Sequence, residues 1–365
     1  MNFDFSDEAK ELGEQARRLL AEKAGTGPAR KAMDAGAPAM DAALWKEIGE
    51  LGWTAARVPE EYGGLGLSVE EVAQLADAAG GTLAHIPLVS TLLATEALVL
   101  AGTAEQKAKW LPGIASGETI ACVAWNEPGA VNPATVKTVA KGGALTGVKQ
   151  PVADLTQAHV AIVAAAGGDG PQLYIVDLKD AETAAVETLD LVRRHGKMVL
   201  NNTPAEALGG PGDYQDWLDR AAVILAYEAI GTAAAAMAMT VDYAKTRAAF
   251  GQKIGRYQGV KHKCADMYIK LELARAHALH GLAMIGMNGP ELRQAAAAAR
   301  VASLDALAYC AEENVQLHGG IGFTWESDCQ FYYRRNRTLV AALGPRGWWA
   351  DRLVRALELR NRAAA

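Results

Sequence analysis

The sequence predicts an α+β fold that is mainly helical, with a β-rich domain between two helical ones. Residues 1–118 show helical periodicity with capping residues, and residues 119–213 contain short β-rich runs separated by Gly, Asn and Pro. Long apolar helices follow in residues 214–365. We therefore expect an N-terminal helical domain at 1–118, a middle β domain at 119–213 and a C-terminal bundle of the four-helix type at 214–365.

The composition is that of an ordinary soluble protein. The chain has 365 residues, half of them apolar, and a formal net charge of −6, which is enough chain to bury a sizeable core. No basic run is long enough to follow a nucleic-acid backbone, so we expect no nucleic-acid partner. The four cysteines are widely spaced with no CxxC pair, which predicts neither a metal site nor a disulfide framework and fits a reducing compartment.

Two segments bear on the location of the protein. Residues 1–8 are acidic where a secretory signal peptide would be basic. Residues 221–241 are apolar enough to suggest a membrane span, but they contain Glu228 and consist mostly of alanine and other small residues, which favours a buried core helix. We therefore expect a cytoplasmic protein with no membrane partner.

Capping residues and turns organise the N-terminal segment. Ser6 can cap an amphipathic helix, and the helical pattern continues through Trp45–Trp53. The glycine-rich segment 59–66 breaks that pattern as a turn. Thr103 with Gln106 forms a capping-box pattern that opens a further short helix.

The middle segment has three clear strand candidates at 120–125, 159–165 and 173–176. After the glycine-rich segment 209–212, which lacks the GxGxxG spacing and context of a dinucleotide-binding turn, the pattern becomes helical. From position 260 apolar residues recur at steps of three and four, as on one face of a bundle helix: Cys264, Met267, Leu271, Ala274, Ala278, Leu282 and Ile285. Gly289-Pro290 predicts a turn, and 291–316 a second long helix.

Two C-terminal segments contain residues suited to binding a dinucleotide. In segment 247–258, Arg247 offers a planar, permanently charged group for pyrophosphate oxygens, and Phe250 offers an apolar face for adenine. In segment 316–324, Gly319 and Gly320 would let backbone amides approach a phosphate closely. On the residues alone, a plainer interpretation is preferred, with Phe250 in the core and the two glycines ending a helix.

These two segments and the 59–66 turn, in this order along an α–β–α chain, resemble the acyl-CoA dehydrogenase family over the whole sequence. The resemblance implies FAD as cofactor, α,β-desaturation of an acyl-CoA thioester, and an electron acceptor such as an electron-transfer flavoprotein. It also implies that the C-terminal segments serve the FAD of a neighbouring subunit. The residues assigned to that role are Arg247, Phe250, Gln258, Gln316, Gly319 and Gly320.

The segments that hold a family member's own FAD depart from the family pattern. The family's Thr-Glu-Pro-Gly-Ala-Gly-Ser-Asp maps onto 126–133, where Asn126 replaces the threonine, Asn132 the serine and Pro133 the aspartate. The family's Trp-Ile-Thr maps onto 151–153, so Pro151 replaces the stacking indole and Ala153 the hydroxyl. The resemblance still makes Trp125, Asn126 and Asn132 candidates for contacting a flavin.

The catalytic base that this reaction requires is missing from both usual positions. Removing the proton α to a thioester carbonyl needs a carboxylate within hydrogen-bond reach, and family members carry it after the His-Gly-Gly motif or on an earlier helix. Counting without gaps places these positions at Leu343, within Ala342-Leu343-Gly344-Pro345, and at Ala221. Neither side chain can accept a proton, so the catalytic residue stays unknown.

Other side chains are weaker candidates. Asp219 and Glu228 could substitute as the base, although a paired structural carboxylate is the expected role of Glu228. Glu326 aligns with a family glutamate that is not the base, and His318 is expected to support the turn geometry. The basic, aromatic run 332–337 could bind phosphate, but a solvated or interface helix face is the expected role.

The sequence thus keeps the half of a FAD site that is offered to a neighbour and has lost most of the half it would use itself. This is the pattern of a non-catalytic subunit. It resembles the base-lacking chains of heteromeric, steroid side-chain-degrading acyl-CoA dehydrogenases, which include heterotetramers. The amino-acid sequence of residues 318–326 resembles that group too. Two alternatives stay open. One is a self-sufficient homo-oligomeric enzyme with a non-standard base, and the other is a flavin-free scaffold protein on the same fold.

Overall fold

The computed structural model describes residues 4–34, 36–129, 132–287, 289 and 291–364. Within these ranges, helices flank a central β-sheet, and the predicted mainly helical α+β fold is confirmed. The helices are α1 Asp7–Lys23, α2 Thr26–Ala32, α3 Ala42–Glu50, α4 Val69–Thr82, α5 Leu88–Ala101, α6 Ala104–Ala115, α7 Pro211–Thr246, α8 Gln258–Gly286, α9 Leu292–His318, α10 Cys329–Ala341 and α11 Arg346–Ala364. The predicted turn at Gly289-Pro290 lies partly outside the described residues, because Pro290 is not among them.

The N-terminal helices begin at the predicted capping residues. The Ser6 hydroxyl accepts a hydrogen bond from the backbone N–H of Ala9 at 3.1 Å, and Thr103 and Gln106 form a reciprocal capping box at the start of α6. One prediction is wrong: α3 ends at Glu50 and does not continue to Trp53. Gly52, at a φ of +79°, interrupts the helical backbone there.

The middle domain is one eight-stranded sheet in the described residues. Its strands are β1 Ala121–Ala124, β2 Val139–Lys141, β3 Ala144–Ala153, β4 Val160–Gly167, β5 Gly170–Asp177, β6 Glu182–Val186, β7 His195–Pro204 and β8 Glu206–Leu208, and the short β9 Ala248–Ala249 and β10 Gln252–Lys253 form a separate hairpin. The order is β6-β7-β3-β2-β4-β5-β8, and β1 pairs in parallel with β4. The predicted strands at 120–125, 159–165 and 173–176 correspond to β1, β4 and β5; the domain boundaries at 118/119 and 213/214 stay predictions.

The C-terminal helices pack around α7, which lies against α4, α8 and α9. The seven apolar residues predicted to share one face of α8 include Met267, Leu271 and Leu282, which are buried. Helix α7 is long and apolar enough to cross a membrane by length and composition alone, but 72% of its most apolar window is buried inside the protein. Such burial is typical of the core helix of a globular protein.

Candidate functional site

A cavity of about 260 Å³ lies between the sheet and the C-terminal helices. The loop after β1 contributes Trp125 and Asn126, strand β3 contributes Pro151 and Ala153, and the turn after α10 contributes Leu343. The structure therefore brings the positions mapped to the chain's own flavin segments and to the catalytic base into one place. We call this site the inner cavity.

Leu343 is fixed in the wall of the inner cavity. Its side chain is only 2% exposed, and its carbonyl oxygen accepts a hydrogen bond from the indole N–H of Trp349 at 2.8 Å. The residue adopts a φ of +54°, and the next residue, Gly344, packs against the ring of Pro133. No Asp or Glu of the described chain lines the inner cavity, so its walls hold no carboxylate to remove a proton from a substrate.

The second base position lies elsewhere. Ala221 is buried in α7 but does not line the inner cavity. One helical turn later, Leu225 does, and it is equally unable to accept a proton. Counting along the sequence placed the position on a helix that lines the cavity, but at a residue that does not face it, because packing sets the rotation of a helix.

The two substitute carboxylates are held by arginines. Glu228 is fully buried, with one carboxylate oxygen 2.5 Å from Arg193 Nη2 and 3.5 Å from Arg335 Nη1. Asp219 is buried too, and its two oxygens accept hydrogen bonds from Arg352 Nη2 at 2.7 and 2.8 Å. Burial raises the pKa of Asp219 despite this arginine. Neither carboxylate lines the inner cavity.

The remaining own-flavin candidates are engaged within the chain. The side-chain amide of Asn126 donates to the carbonyl oxygen of Pro151 at 3.1 Å. The Asn132 side-chain oxygen accepts from the backbone N–H of Ala134 at 2.8 Å, which closes a local turn. Ala130 and Val131, in the middle of the same mapped segment, lie outside the described residues.

A buried ion pair beneath Trp125 was not predicted from the sequence. Lys149 Nζ lies 2.7 Å from Glu127, and both side chains are almost fully buried. Burial lowers the pKa of Lys149 to about 8. Burial alone would raise the pKa of Glu127, but hydrogen bonds from Lys149 and Thr138 lower it below its usual value. No local signal in the sequence indicates this pair, because the contact joins positions 22 residues apart.

Two further polar residues of the inner cavity were also missed. Arg193 and His195 line it from the loop before β7 and from the start of that strand. Burial lowers the pKa of His195, and its Nδ1 donates to the carbonyl oxygen of Arg193 at 3.0 Å. Since Arg193 pairs with Glu228, both residues are tied into the chain's own structure.

A second site, the outer face, is formed by segments 247–258 and 316–320. Arg247 lines a groove of about 380 Å³ together with Gly319 and Gly320, so the structure brings these predicted residues together. The Arg247 side chain is exposed and has no hydrogen-bond or ion-pair partner among the described residues. Gly319 adopts a φ of +64° with a ψ of −144°, a conformation essentially confined to glycine, and neither glycine would meet a neighbour within 4 Å if it carried a Cβ. The backbone at the mouth of the groove is therefore accessible.

Phe250 stands at the tip of the β9–β10 hairpin of the outer face. Its side chain is 97% exposed, so the interpretation of Phe250 as a core residue is wrong. Phe250 and Gly251 have φ values of +50° and +82°, the signs that a two-residue type I′ turn requires and that phenylalanine rarely adopts. The Tyr257 hydroxyl lies within hydrogen-bond distance of the carbonyl oxygens of Ala249 (3.0 Å) and Phe250 (3.1 Å), which holds the hairpin against α8.

The other predicted residues lie around this hairpin and the end of α9. Gln258 is exposed at the first turn of α8, and Gln316 is exposed and lines a neighbouring groove with Phe323. His318 stacks on Tyr243 and donates from Nδ1 to the carbonyl oxygen of Asn314 at 2.7 Å. Burial lowers the pKa of His318. This geometry agrees with a supporting role for His318 at the turn.

The basic run 332–337 is divided by its position on α10. Arg335 is fully buried and hydrogen-bonds Asp190, so the prediction of a solvated or interface face is wrong for this residue. Arg337 is exposed and Arg334 is half-buried, and both line the groove that contains Gln316. The helical period places these two side chains on one face and Arg335 on another.

Sequence profiles of a known family match both ends of the chain. The profile described as "Acyl-CoA dehydrogenase, N-terminal domain" matches residues 6–118. The profile described as "Acyl-CoA dehydrogenase, C-terminal domain" matches residues 212–357.

Curated relatives match nearly the whole chain. "Acyl-CoA dehydrogenase IpdE2" of Mycolicibacterium smegmatis is 32% identical over 342 residues, covering 93% of this chain and 96% of the relative. Among solved structures, a variant of the "Tcur3481-Tcur3483 steroid ACAD" has a TM-score of 0.91 at 30% identity and covers 98% of this chain and 99% of that one. The "ChsE4-ChsE5 complex from Mycobacterium tuberculosis" has a TM-score of 0.89 at 24% identity, with the same coverage of both chains, a likeness of fold alone.

Proposed function

Because the chain belongs to the acyl-CoA dehydrogenase family, we propose that it is the non-catalytic subunit of a heteromeric, FAD-dependent acyl-CoA dehydrogenase. In this role its outer face completes the FAD site of a homologous subunit that carries the base. One observation supports this most strongly: the inner cavity has no carboxylate in its walls, whereas Arg247 and the Gly319-Gly320 turn line an accessible groove with no internal partner for the arginine. At the inner cavity Asn126 and Arg193 are engaged within the chain, whereas Arg247 of the outer face has no such partner among the described residues.

The size and the contacts of the inner cavity argue against this chain binding a FAD of its own there. Its volume of about 260 Å³ lies below the roughly 300–1,000 Å³ typical of pockets for drug-sized ligands, and FAD together with an acyl thioester is larger than these. The space where the catalytic base would lie is filled. Pro133 packs against Gly344, and Leu343 is held by the hydrogen bond from Trp349. The residues present do not fit a flavin at this site.

The outer face does fit part of a dinucleotide. The Arg247 guanidinium would bind pyrophosphate oxygens, the exposed backbone N–H of Gly320 would donate to phosphate, and Phe250 would cover the adenine. The N–H of Gly319 is not available, because it donates to the carbonyl oxygen of Gln316. FAD, when bound, accepts the hydride from the β-carbon of the acyl group. This chain's residues would hold and orient it from the neighbouring side, while the partner subunit supplies the base.

The names of similar proteins support the class of substrate. A structure similar to this chain is named a steroid ACAD, and another is a complex of two differently named chains. We therefore propose a bulky acyl-CoA thioester as the substrate of the assembled enzyme and an electron acceptor such as an electron-transfer flavoprotein. The assembly would be a heterotetramer or another heteromer of homologous subunits.

Co-expression tests the proposal. Each base-bearing acyl-CoA dehydrogenase homologue from the source organism is expressed with this chain, and the purified material is examined by visible absorption and by acyl-CoA oxidation. We expect one pairing to give a yellow, active complex, and the chain alone to be colourless and inactive. Oxidation of acyl-CoA by the chain alone at rates typical of the family would contradict the proposal and favour the self-sufficient homo-oligomer. Absence of flavin with every partner would favour the scaffold.

The self-sufficient enzyme has little support from the site. Its candidate bases, Asp219 and Glu228, are each held by arginines and lie away from the inner cavity. Substituting each by alanine distinguishes the cases, because an unchanged rate excludes that residue as the base.

A further inference from the structure

A groove of about 480 Å³ adjoins the outer face between the end of α9, α10 and the loop before β7. Gln316 and Phe323 form one side, and Arg334 and Leu189 form the other. We call it the Arg334 groove. Because Gln316 belongs to the outer face and Phe323 follows Gly320 by three residues, a chain seated on the outer face would extend over this groove.

The charge of Arg334 is not balanced by a carboxylate. Its Nε donates to the side-chain oxygen of Gln330 at 3.2 Å and its Nη1 to the carbonyl oxygen of Leu189 at 3.0 Å. Both acceptors are neutral, and no Asp or Glu of the described chain lies within 4.0 Å. Its neighbours differ: Arg335 pairs with Asp190 and Arg337 with Glu312. The groove therefore presents one fixed, uncompensated cation.

Trp325 is held in place at the edge of this groove. Its carbonyl oxygen accepts hydrogen bonds from Arg30 Nη1 at 2.9 Å and Gln330 Nε2 at 2.5 Å. The guanidinium of Arg334 lies over the indole, 5.2 Å from the ring centroid, while the side chain remains 54% exposed. A rigid aromatic residue of this kind loses little conformational entropy when a partner covers it.

The composition of the groove is that of a protein-interface hot spot. Tryptophan and arginine are the residues most enriched in such hot spots, and the exposed apolar side chains of Phe323 and Leu189 flank them. Large apolar side chains exposed side by side around a cation indicate an occupant with both apolar and anionic groups. A phosphate or another small anion would leave the apolar side chains uncovered.

We propose that the Arg334 groove is a docking site for the partner subunit, which inserts a carboxylate side chain against Arg334 and an apolar side chain against Trp325. This inference rests on the proposed heteromeric function and specifies how the partner is recognised. The contact would select the partner by charge, separately from the FAD contacts of Arg247 and Phe250. A second copy of this chain is the alternative occupant, and the experiment distinguishes it.

The experiment measures the affinity of this chain for the co-expressed base-bearing subunit, with Arg334→Gln and Trp325→Ala compared with the wild type. We expect each variant to weaken the complex about tenfold or more, and the effect of Arg334→Gln to shrink as salt is raised, because an ion pair is screened. Arg355→Gln is the matched control. It removes the same charge from an exposed i,i+4 pair with Asp351 on α11, and should change the affinity less than twofold.

Three results would overturn the inference. An unchanged affinity of Arg334→Gln for a complex that forms normally would remove the docking site while leaving the proposed function intact. Loss of self-association by Arg334→Gln, with no effect on the heteromer, would assign the groove to a second copy. Failure of every base-bearing homologue to bind the wild-type chain would remove both proposals. Melting temperatures of the isolated variants near that of the wild type show that the change lies in the contact.

Discussion

The inner cavity and the outer face are built from the same family pattern but use their polar groups in opposite ways. Around the inner cavity, Asn126 bonds to Pro151 and Arg193 bonds to Glu228. On the outer face, Arg247 has no such partner in the described chain, and Phe250 is almost fully exposed. A site whose groups are satisfied internally contributes to stability, whereas a site with exposed apolar and charged groups is suited to binding. The same chain can therefore lose the binding residues of one site and keep those of the other.

The largest expected effect comes from Glu228, behind the inner cavity. Glu228→Ala leaves the buried Arg193 without its nearest carboxylate, so we expect the free energy of unfolding to fall by about 3–5 kcal/mol. Chemical denaturation monitored by circular dichroism measures it. Glu272→Ala, which breaks a half-exposed pair with Arg275, should cost less than about 0.5 kcal/mol. A loss of activity at unchanged stability would instead make Glu228 a base.

Restoring the carboxylate to the inner cavity should not restore catalysis. Leu343→Glu places a carboxyl in a buried position, and we expect the isolated chain to stay inactive and to lose more than about 2 kcal/mol of stability at pH 7. Burial would raise the folded-state pKa of the new carboxyl above its unfolded value of about 4.3. The pH-dependent part of the destabilisation should therefore grow as pH rises above that value and be absent below it, where only the cost of burying a neutral carboxyl in place of leucine remains.

Denaturation of this variant at several pH values checks the expectation. Leu343→Met keeps the volume and should cost less than about 1.5 kcal/mol at every pH. An active, flavin-containing Leu343→Glu chain without a partner would show that the inner cavity still holds a FAD site.

The outer face should respond in the complex and not in the isolated chain. Phe250→Ala removes an aromatic side chain that touches little of its own protein, so the isolated chain should keep its stability within about 0.5 kcal/mol. The heteromer should weaken by about 1.5–3 kcal/mol, or roughly ten- to a hundredfold, since that face would be buried. Titration calorimetry with the partner subunit measures it. Leu51→Ala, an equally apolar change at another exposed site, should leave the affinity unchanged.

The smallest expected effect separates binding from backbone strain. Phe250 has a φ of +50°, which costs roughly 1 kcal/mol or more for a residue with a side chain. Phe250→Gly should therefore stabilise the isolated chain by up to about 1 kcal/mol while weakening the complex as Phe250→Ala does. Gly251→Ala, at a φ of +82°, should destabilise the hairpin instead. Thermal unfolding of both variants, compared with Phe250→Ala, gives the answer.

Local chemistry made part of this structure predictable. Ser6 and the Thr103–Gln106 pair start helices through bonds within three residues, so their sequence spacing is sufficient. Strands β3 and β7 were missed because their residues are polar or alternate, and their pairing joins positions about fifty residues apart. Local patterns contain no information about such pairing.

The candidate sites followed the same rule. Segments 247–258 and 316–320 were predicted because each is a continuous motif, and the fold brings them to one groove. The arginines around Glu228 could not be predicted, since the contact with Arg193 spans 35 positions along the chain. Leu225, not Ala221, faces the inner cavity because packing, not counting, sets the rotation of α7.

The most direct test of the central claim is the flavin content of the purified chain, alone and paired with a base-bearing homologue. The visible absorption band of the flavin measures the amount of FAD. Divided by an independent determination of the protein, it gives the ratio of FAD to chains. The division of roles proposed here predicts no bound flavin in the chain alone and, in the complex, no more than one FAD for each pair of unlike subunits. A FAD in every chain, or a flavin-loaded and active chain without a partner, would contradict it.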